Sequence, residues 1–227
     1  ASDYDRCAEA TEEAIAAGIG VVAVDTDVNA AGRACFVGSN NYEVGLEMGR
    51  AMASYLPEGG KVAVIQHMLT TTTGIDRTRG VIDALTKAGN VEILGSFCCD
   101  NSTDRAQSLT KELLEQTPDI SGFVCTNEVC NVGAANALVE LGMGGKVFVV
   151  GCDNSQRQIA FLEQNIIQAI VTQRPFNMGY IAVQQAVEVA SGEKTADFVE
   201  VPCVLITREN MYTQENQKLL FPLTGES

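Results

Sequence analysis

The chain has 227 residues, 46% hydrophobic and 19% charged, with 15 Lys and Arg against 29 Asp and Glu for a formal net charge of −14. That supplies a proper core for one large domain or two small lobes, and the acidity argues against a nucleic-acid face and against an anionic membrane surface. No apolar run approaches the roughly 18 residues of a spanning helix, and no signal peptide stands at Ala1, so a cytoplasmic chain or a processed or trimmed one is expected.

Asp5 to Ala17 predicts a helix, with Ala8, Ile15 and further alanines on one face, closed by Gly18. Ile19 to Val24 predicts a strand. It is apolar throughout, as in strands covered on both faces. A short strand at Ala34–Val37 follows, then a helix from Tyr42 to Tyr55, introduced by Asn40-Asn41 and ended by Pro57 and Gly59-Gly60. From there strands and helices alternate: strand Lys61–Gln66, helix Ile75–Ala88, strand Val91–Phe97, helix Asp104–Gln116, strand Gly122–Thr126, helix Val132–Leu141. The alternation continues with strand Lys146–Gly151, helix Gln156–Gln164, strand Ile167–Thr172, helix Met178–Ala190 and strand Val199–Ile206. Such alternation predicts βαβ units and a mainly parallel α/β sheet, with helices on both faces. The Pro57–Gly60 stretch is the expected boundary between lobes.

Five short polar segments sit at or just after strand ends, where ligands bind in open parallel sheets. Asp25 ends the first strand; as a carboxylate it can accept from vicinal hydroxyls, or it is a loop or capping aspartate. Arg77 opens a helix after the Thr70–Thr73 run and Gly74. Its planar fork suits a hydroxyl pair, a ring oxygen or a carboxylate, although with Arg79 beside it a solvated surface arginine is the alternative. Asn127 offers donors and an acceptor, or caps the next helix. Asp153 likewise contacts a ligand or caps the helix at Gln156. Gln173 is a ligand contact or a loop amide. Together these residues describe a cleft for a small, hydroxyl-rich ligand. The Thr70–Thr73 run is expected to be loop.

Enzyme signatures are missing. No G-x-G-x-x-G follows the first strand, and neither a phosphate-binding loop nor a nucleophile elbow is present. His67 is the only histidine and lies in no recognisable catalytic context. Hydrogen-bonding groups without a nucleophile point to binding rather than turnover. The eight cysteines are Cys7, Cys35, Cys98, Cys99, Cys125, Cys130, Cys152 and Cys203. Cys35, Cys98, Cys125, Cys152 and Cys203 lie in or beside apolar strand runs, where Cys acts as a small hydrophobe, so free thiols are expected. With no C-x-x-C pair, neither a metal site nor a cofactor is expected. Asp100-Asn101-Ser102-Thr103-Asp104 lacks the central Gly and terminal Glu of a calcium loop and reads as a turn plus helix cap.

The chain resembles the type I periplasmic sugar-binding proteins, the ribose-binding-like branch whose fold also forms the ligand core of LacI-type repressors. Glu13 to Asp25 is similar to that family's helix–Gly–strand–Asp element. Val37-Gly38-Ser39-Asn40-Asn41-Tyr42-Glu43-Val44-Gly45 is similar to its G-x-D/N-N-y-x-x-G helix start. Arg77-Thr78-Arg79-Gly80-Val81 matches R-x-x-G-F/V, Thr126-Asn127-Glu128 the N-D/E strand end, and Val149-Val150-Gly151-Cys152-Asp153 V-V-G-F-D. Val171 to Gly179 matches Q-x-P-x-x-M/I-G. The likeness runs from about Asp3 to Met211. It implies cleft contacts at Asp25, Arg77, Asn127, Asp153 and Gln173, no cofactor and no catalysis. Thr26 stands where the family often has arginine or serine, and Thr103 where it has an aromatic wall residue.

The resemblance further implies a two-lobed fold of parallel sheets flanked by helices. The amino-terminal lobe would comprise residues 1–57 plus 175–198, the carboxy-terminal lobe residues 58–174 plus 199–227, with Gln173 at a hinge strand. It also implies an amino-terminal lobe that is incomplete, because the family begins with two further βα units of about 30 residues each. Such a lobe would be poorly folded alone, dimerise through Ile19–Val24, or be completed by a separate amino-terminal fragment of the same protein. The implied role is an extracytoplasmic solute-binding protein, periplasmic or a cell-surface lipoprotein. It would capture a monosaccharide or related polyol between its lobes for an ABC transporter permease. The alternative is the ligand-sensing domain of a receptor, a histidine kinase or a LacI-type repressor.

Overall fold

The computed structural model describes residues 4–221. Their contacts divide the chain into two units. One comprises Ala1–Asn40, Thr70–Thr73 and Gln173–Cys203; the other comprises Asn41–Leu69, Gly74–Thr172 and Val204–Ser227.

The smaller unit holds α1 (Ala8–Ala16), β1 (Val22–Val24) and β2 (Cys35–Gly38). The larger begins with α2 (Asn41–Tyr55), β3 (Gly60–Gln66), α3 (Thr72–Ala88, from Gly74 onward), β4 (Val91–Cys98), α4 (Thr103–Gln116), β5 (Ile120–Cys125) and α5 (Glu128–Glu140). It continues with β6 (Phe148–Cys152), α6 (Gln156–Glu163) and β7 (Ala169–Thr172). The chain returns to the smaller unit for α7 (Pro175–Ala190) and β8 (Phe198–Glu200), then ends in the larger one with β9 (Val204–Thr207) and α8 (Gln214–Leu220).

Three features depart from expectation. The run Val199–Ile206 is two strands: β8 pairs parallel with β2, while β9 pairs antiparallel with β7. Pro202, which has no N–H for a ladder, stands between them. The division after residue 57 is also not the one found, because α2 packs on β5, β6 and β7 and so belongs with the larger unit. Thr72 and Thr73, expected as loop, open α3.

The larger unit's sheet has the order β4-β3-β5-β6-β7-β9, with only β9 antiparallel. Successive side chains of a strand point to opposite faces. Phe123 packs in one core cluster with Ala134 and Leu138 of α5, while a side chain at neighbouring Gly122 would strike Met52 of α2. The two helices therefore cover opposite faces, which explains why Val62, Ala63, Val64 and Ile65 are all fully buried.

The smaller unit's sheet is β1-β2-β8, all parallel. Its core joins Cys35 and Val37 to Met178 and Val201, with Ile181 and Ala182 of α7 packed alongside. Phe36 stacks on Phe198 at 5.2 Å. Among the described residues β1 is an edge strand, and Val24, expected to be covered, is 40% exposed. The face of α7 carrying Phe176, Tyr180, Val183 and Val187 is exposed as well. Their spacing of four, three and four places them on one helical stripe.

Candidate functional site

In the larger unit the parallel strands β3, β5 and β6 are neighbours, so their carboxyl ends lie along one edge. That geometry brings Arg77, Asn127 and Asp153 together. Arg77 is only 4% exposed, which excludes the solvated alternative. It shares a face of α3 with Gly80, Val81, Ala84 and Leu85, all buried, whereas Arg79 is turned outward to Asp76 and the Tyr42 ring. Arg77 Nε donates to Asn41 Oδ1 at 2.9 Å, and Nη1 donates to the Thr126 carbonyl oxygen at 2.9 Å. Nη1 also lies 4.0 Å from Asp153 Oδ1.

Two glycines set the depth of Arg77. A Cβ on Gly80 would lie 2.2 Å from the Tyr42 carbonyl oxygen, and one on Gly45 would lie 2.1 Å from that of Arg77. Backbone-to-backbone contact of α2 and α3 thus requires glycine at both places, and it delivers the guanidinium to the end of β5.

Asn127 caps α5: its Oδ1 accepts from the Cys130 N–H at 3.1 Å, and its Nδ2 donates to Asn101 Oδ1 at 3.0 Å. Asp153 does not cap α6. Ser155 does so, in a capping box with Gln158. Asp153 Oδ2 instead accepts from the Glu128 N–H at 2.9 Å, at the amino end of α5, where a carboxylate is favoured by the helix dipole.

Asp25 and Gln173 belong to the smaller unit. Asp25 follows β1, exposed, and its Oδ2 accepts from Thr26 Oγ1 at 3.3 Å. Gln173 is half-buried and follows β7 directly, at the point where the chain leaves the larger unit. The two strand-end aspartates share a local construction. Both are left-handed, with φ of 69° at Asp25 and 77° at Asp153. The Asp25 N–H donates to the Val37 carbonyl at 2.9 Å and that of Asp153 to the Val171 carbonyl at 3.0 Å, each on the adjacent strand. Non-glycine residues held in this region cluster where side chains must be aimed.

Sequence reasoning missed Asn41, Thr126 and His67. His67 is buried at the end of β3, with Nδ1 2.8 Å from Thr126 Oγ1. Burial, reinforced by the Arg77 charge and opposed by Asp153, lowers its pKa to about 4, so the imidazole is neutral. Its signal in sequence was its place at a strand end beside the arginine helix. No group of three or more His, Cys, Asp or Glu residues placed to hold a metal ion occurs among the described residues.

Residues 1–194 match the family profile described as a periplasmic binding protein domain. The chain belongs to that family. Among its relatives this periplasmic binding protein domain is 27% identical over 180 residues to the D-allose-binding periplasmic protein of Escherichia coli (strain K12), covering 76% of this chain. The chain spans 58% of that relative's length, less than two thirds. It is 30% identical to a sugar transporter from Clostridium phytofermentans, with a TM-score of 0.80 over 90% of this chain and 73% of that one. It is 27% identical to GanP, a glucose-galactose binding protein from Geobacillus stearothermophilus, with a TM-score of 0.85 over 90% of this chain and 72% of that one. The α/β fold with parallel-dominated sheets is thus that of the type I periplasmic binding proteins.

Proposed function

We propose that this protein is the solute-binding component of an ABC importer and captures a monosaccharide or related polyol without chemical change. The observation that carries this reading is the pair formed by Arg77 and Asp153. At 4.0 Å the two are too far apart for a hydrogen bond to each other. One sugar hydroxyl can donate to the carboxylate and accept from the guanidinium. Both partners are held in place by bonds to backbone, so little ordering remains for the ligand to enforce. The names of the relatives, a D-allose-binding protein and a glucose-galactose binding protein, support a sugar.

We assign Arg77, Asn127 and Asp153 as the larger unit's ligand contacts, and Asp25 and Gln173 as those of the smaller. The partner is the permease of the importer, and the protein works outside the cytoplasm. The longer relatives, the open edge of β1 and the exposed stripe of α7 together support one further element. An amino-terminal segment of the same protein, joined or separate, packs on that face.

Calorimetric titration with D-allose, D-ribose, D-glucose, D-galactose and the corresponding polyols tests the reading. At least one should bind, and Asp153→Ala should weaken it tenfold or more, since a hydrogen bond to a charged group contributes about 1.5–3 kcal/mol. Failure of every sugar and polyol to bind at millimolar concentration would overturn it.

A further inference from the structure

Cys99 and Cys130 are both fully buried, yet their sulfurs lie 3.4 Å apart. Cys99 follows β4; its N–H donates to the Gln66 carbonyl and its own carbonyl accepts from the Ser102 N–H. Cys130 lies in the first turn of α5. The two are brought close because α4 and α5 touch through Gly133, where a Cβ would lie 2.5 Å from that of Ala106. We infer that Cys99 and Cys130 are an oxidisable dithiol, which a small hydroperoxide converts to a disulfide. The inference does not rest on the sugar-binding reading.

An S–S bond is about 2.05 Å long, so the sulfurs need close only about 1.4 Å. The hydrogen bond between the two sulfurs lowers the Cys99 pKa, while burial raises that of Cys130. Cys99 is therefore the attacking sulfur. Its thiolate attacks the OH oxygen of the hydroperoxide and the O–O bond breaks, giving a sulfenic acid; the alkoxide that leaves, or hydroxide from hydrogen peroxide, takes up the proton given up by the Cys99 thiol. The Cys130 sulfur then attacks the Cys99 sulfur, and the S–O bond breaks. Hydroxide departs with the Cys130 proton as water. Overall, two thiols and one hydroperoxide give one disulfide, water and the reduced alcohol or a second water.

The segment that follows Cys99 reaches the surface. Asp100 and Asn101, exposed and next in sequence, are both left-handed, with φ of 51° and 53°. Two successive non-glycine residues in that sparsely populated region are strained backbone. The disulfide would join the two segments that hold Asn127, since Asn101 accepts from its amide and Cys130 donates to its oxygen.

The test treats the fully reduced 227-residue protein with hydrogen peroxide, then denatures, alkylates and digests it with trypsin. Free thiols should fall from eight to six. The digest should contain the peptide of residues 88–105 linked to that of residues 112–146. Fragmentation must then separate Cys98 from Cys99 and Cys125 from Cys130. In Cys130→Ala, no linked peptide should form, and dimedone should label Cys99. A linkage through Cys98 or Cys125, a vicinal Cys98–Cys99 bond, an unchanged thiol count, or oxidation confined to exposed Cys7 would each overturn the inference. Should Cys130→Ala fail to fold, the wild-type peptide map decides alone.

Discussion

Arg77 Nη1 and the carbonyl oxygen of Thr126 are 2.9 Å apart, which fastens the first turns of α3 to the end of β5. The same guanidinium holds Asn41, the first residue of α2. One side chain therefore joins three elements, and only a planar fork reaches two of its partners in fixed directions.

Arg77→Lys should for that reason be far from conservative. An ammonium cannot reproduce both bonds, and a buried acceptor left without its donor costs about 1–3 kcal/mol. We expect a loss of about 2 kcal/mol in urea denaturation, together with weaker sugar binding. Arg79→Lys, on the exposed side of the same helix, should change stability by less than about 0.5 kcal/mol. Equal losses in the two variants would contradict the burial of Arg77.

Two glycines in the recognised motifs should behave oppositely. At Gly80 an added Cβ would meet backbone, the Tyr42 oxygen at 2.2 Å and the Leu46 nitrogen at 2.7 Å, and neither can rotate away. Gly80→Ala should cost about 2 kcal/mol or more as α2 and α3 separate. Gly179 lies in α7, and among the described residues nothing comes within 4 Å of such an atom. There Ala should be neutral or stabilise by about 0.5–1 kcal/mol through helix propensity. Thermal denaturation of both variants against the parent settles the contrast; a strongly destabilising Gly179→Ala would contradict the open surroundings of that glycine.

The βαβ alternation was legible because the inner strands β3, β5, β6 and β7 of the large sheet are mostly apolar runs buried along most of their length, as at Lys61–Gln66. The split of Val199–Ile206 was less so: the run is apolar on both sides of Pro202, and only that residue's missing N–H marks the change of sheet. Helix α8 went unread because it is seven residues long and mostly polar, and depends on its Thr213 cap. For the site, strand-end position picked out Asp153, but not whether it caps its own helix or reaches the amino end of α5. That choice is made by Ser155, which takes the capping role first. The burial of Arg77 rather than Arg79 was present in the helical phase, since Gly80, Val81, Ala84 and Leu85 share the Arg77 face. The bonds of Asn41 and Thr126 to Arg77 span 36 and 49 residues, and no local pattern encodes them.

His67 gives the protein a defined acid sensitivity. Its pKa in the folded state is about 4, against an ordinary value of 6.5. The unfolded chain therefore takes up a proton first as pH falls. Stability is unaffected above about pH 6.5, declines through the window from 6.5 to 4, and by its lower end has lost about 3 kcal/mol from this group. Because this is the only histidine, its imidazole proton resonance is unambiguous in NMR. It should stay at the neutral position down to about pH 5. In His67→Gln the loss of stability between pH 6.5 and 4 should shrink by about that amount. A midpoint near 6.5 in the folded protein would refute the buried, neutral assignment.

The last expectation concerns the exposed stripe of α7. Phe176, Tyr180, Val183 and Val187 line one side of the helix, while Met178, Ile181 and Ala182 face the core. Burying a large apolar side chain contributes about 1.5–3 kcal/mol, so covering four of them gives a strong drive to associate. The neighbouring edge of β1 adds backbone groups ready to pair. The 227-residue chain should therefore bind an anilinonaphthalene dye and, in light scattering, show a mass above 24.1 kDa that rises with concentration. Replacing Val183 and Val187 by Ser should suppress both signals while leaving the helical circular dichroism unchanged, because neither residue supports the core. The proposed amino-terminal segment, added in trans or present in the same chain, should suppress them as well, with protection of the Val22–Val24 amides in hydrogen exchange. A monomer of 24.1 kDa that binds no dye, with no other polypeptide present, would show that this face needs no cover.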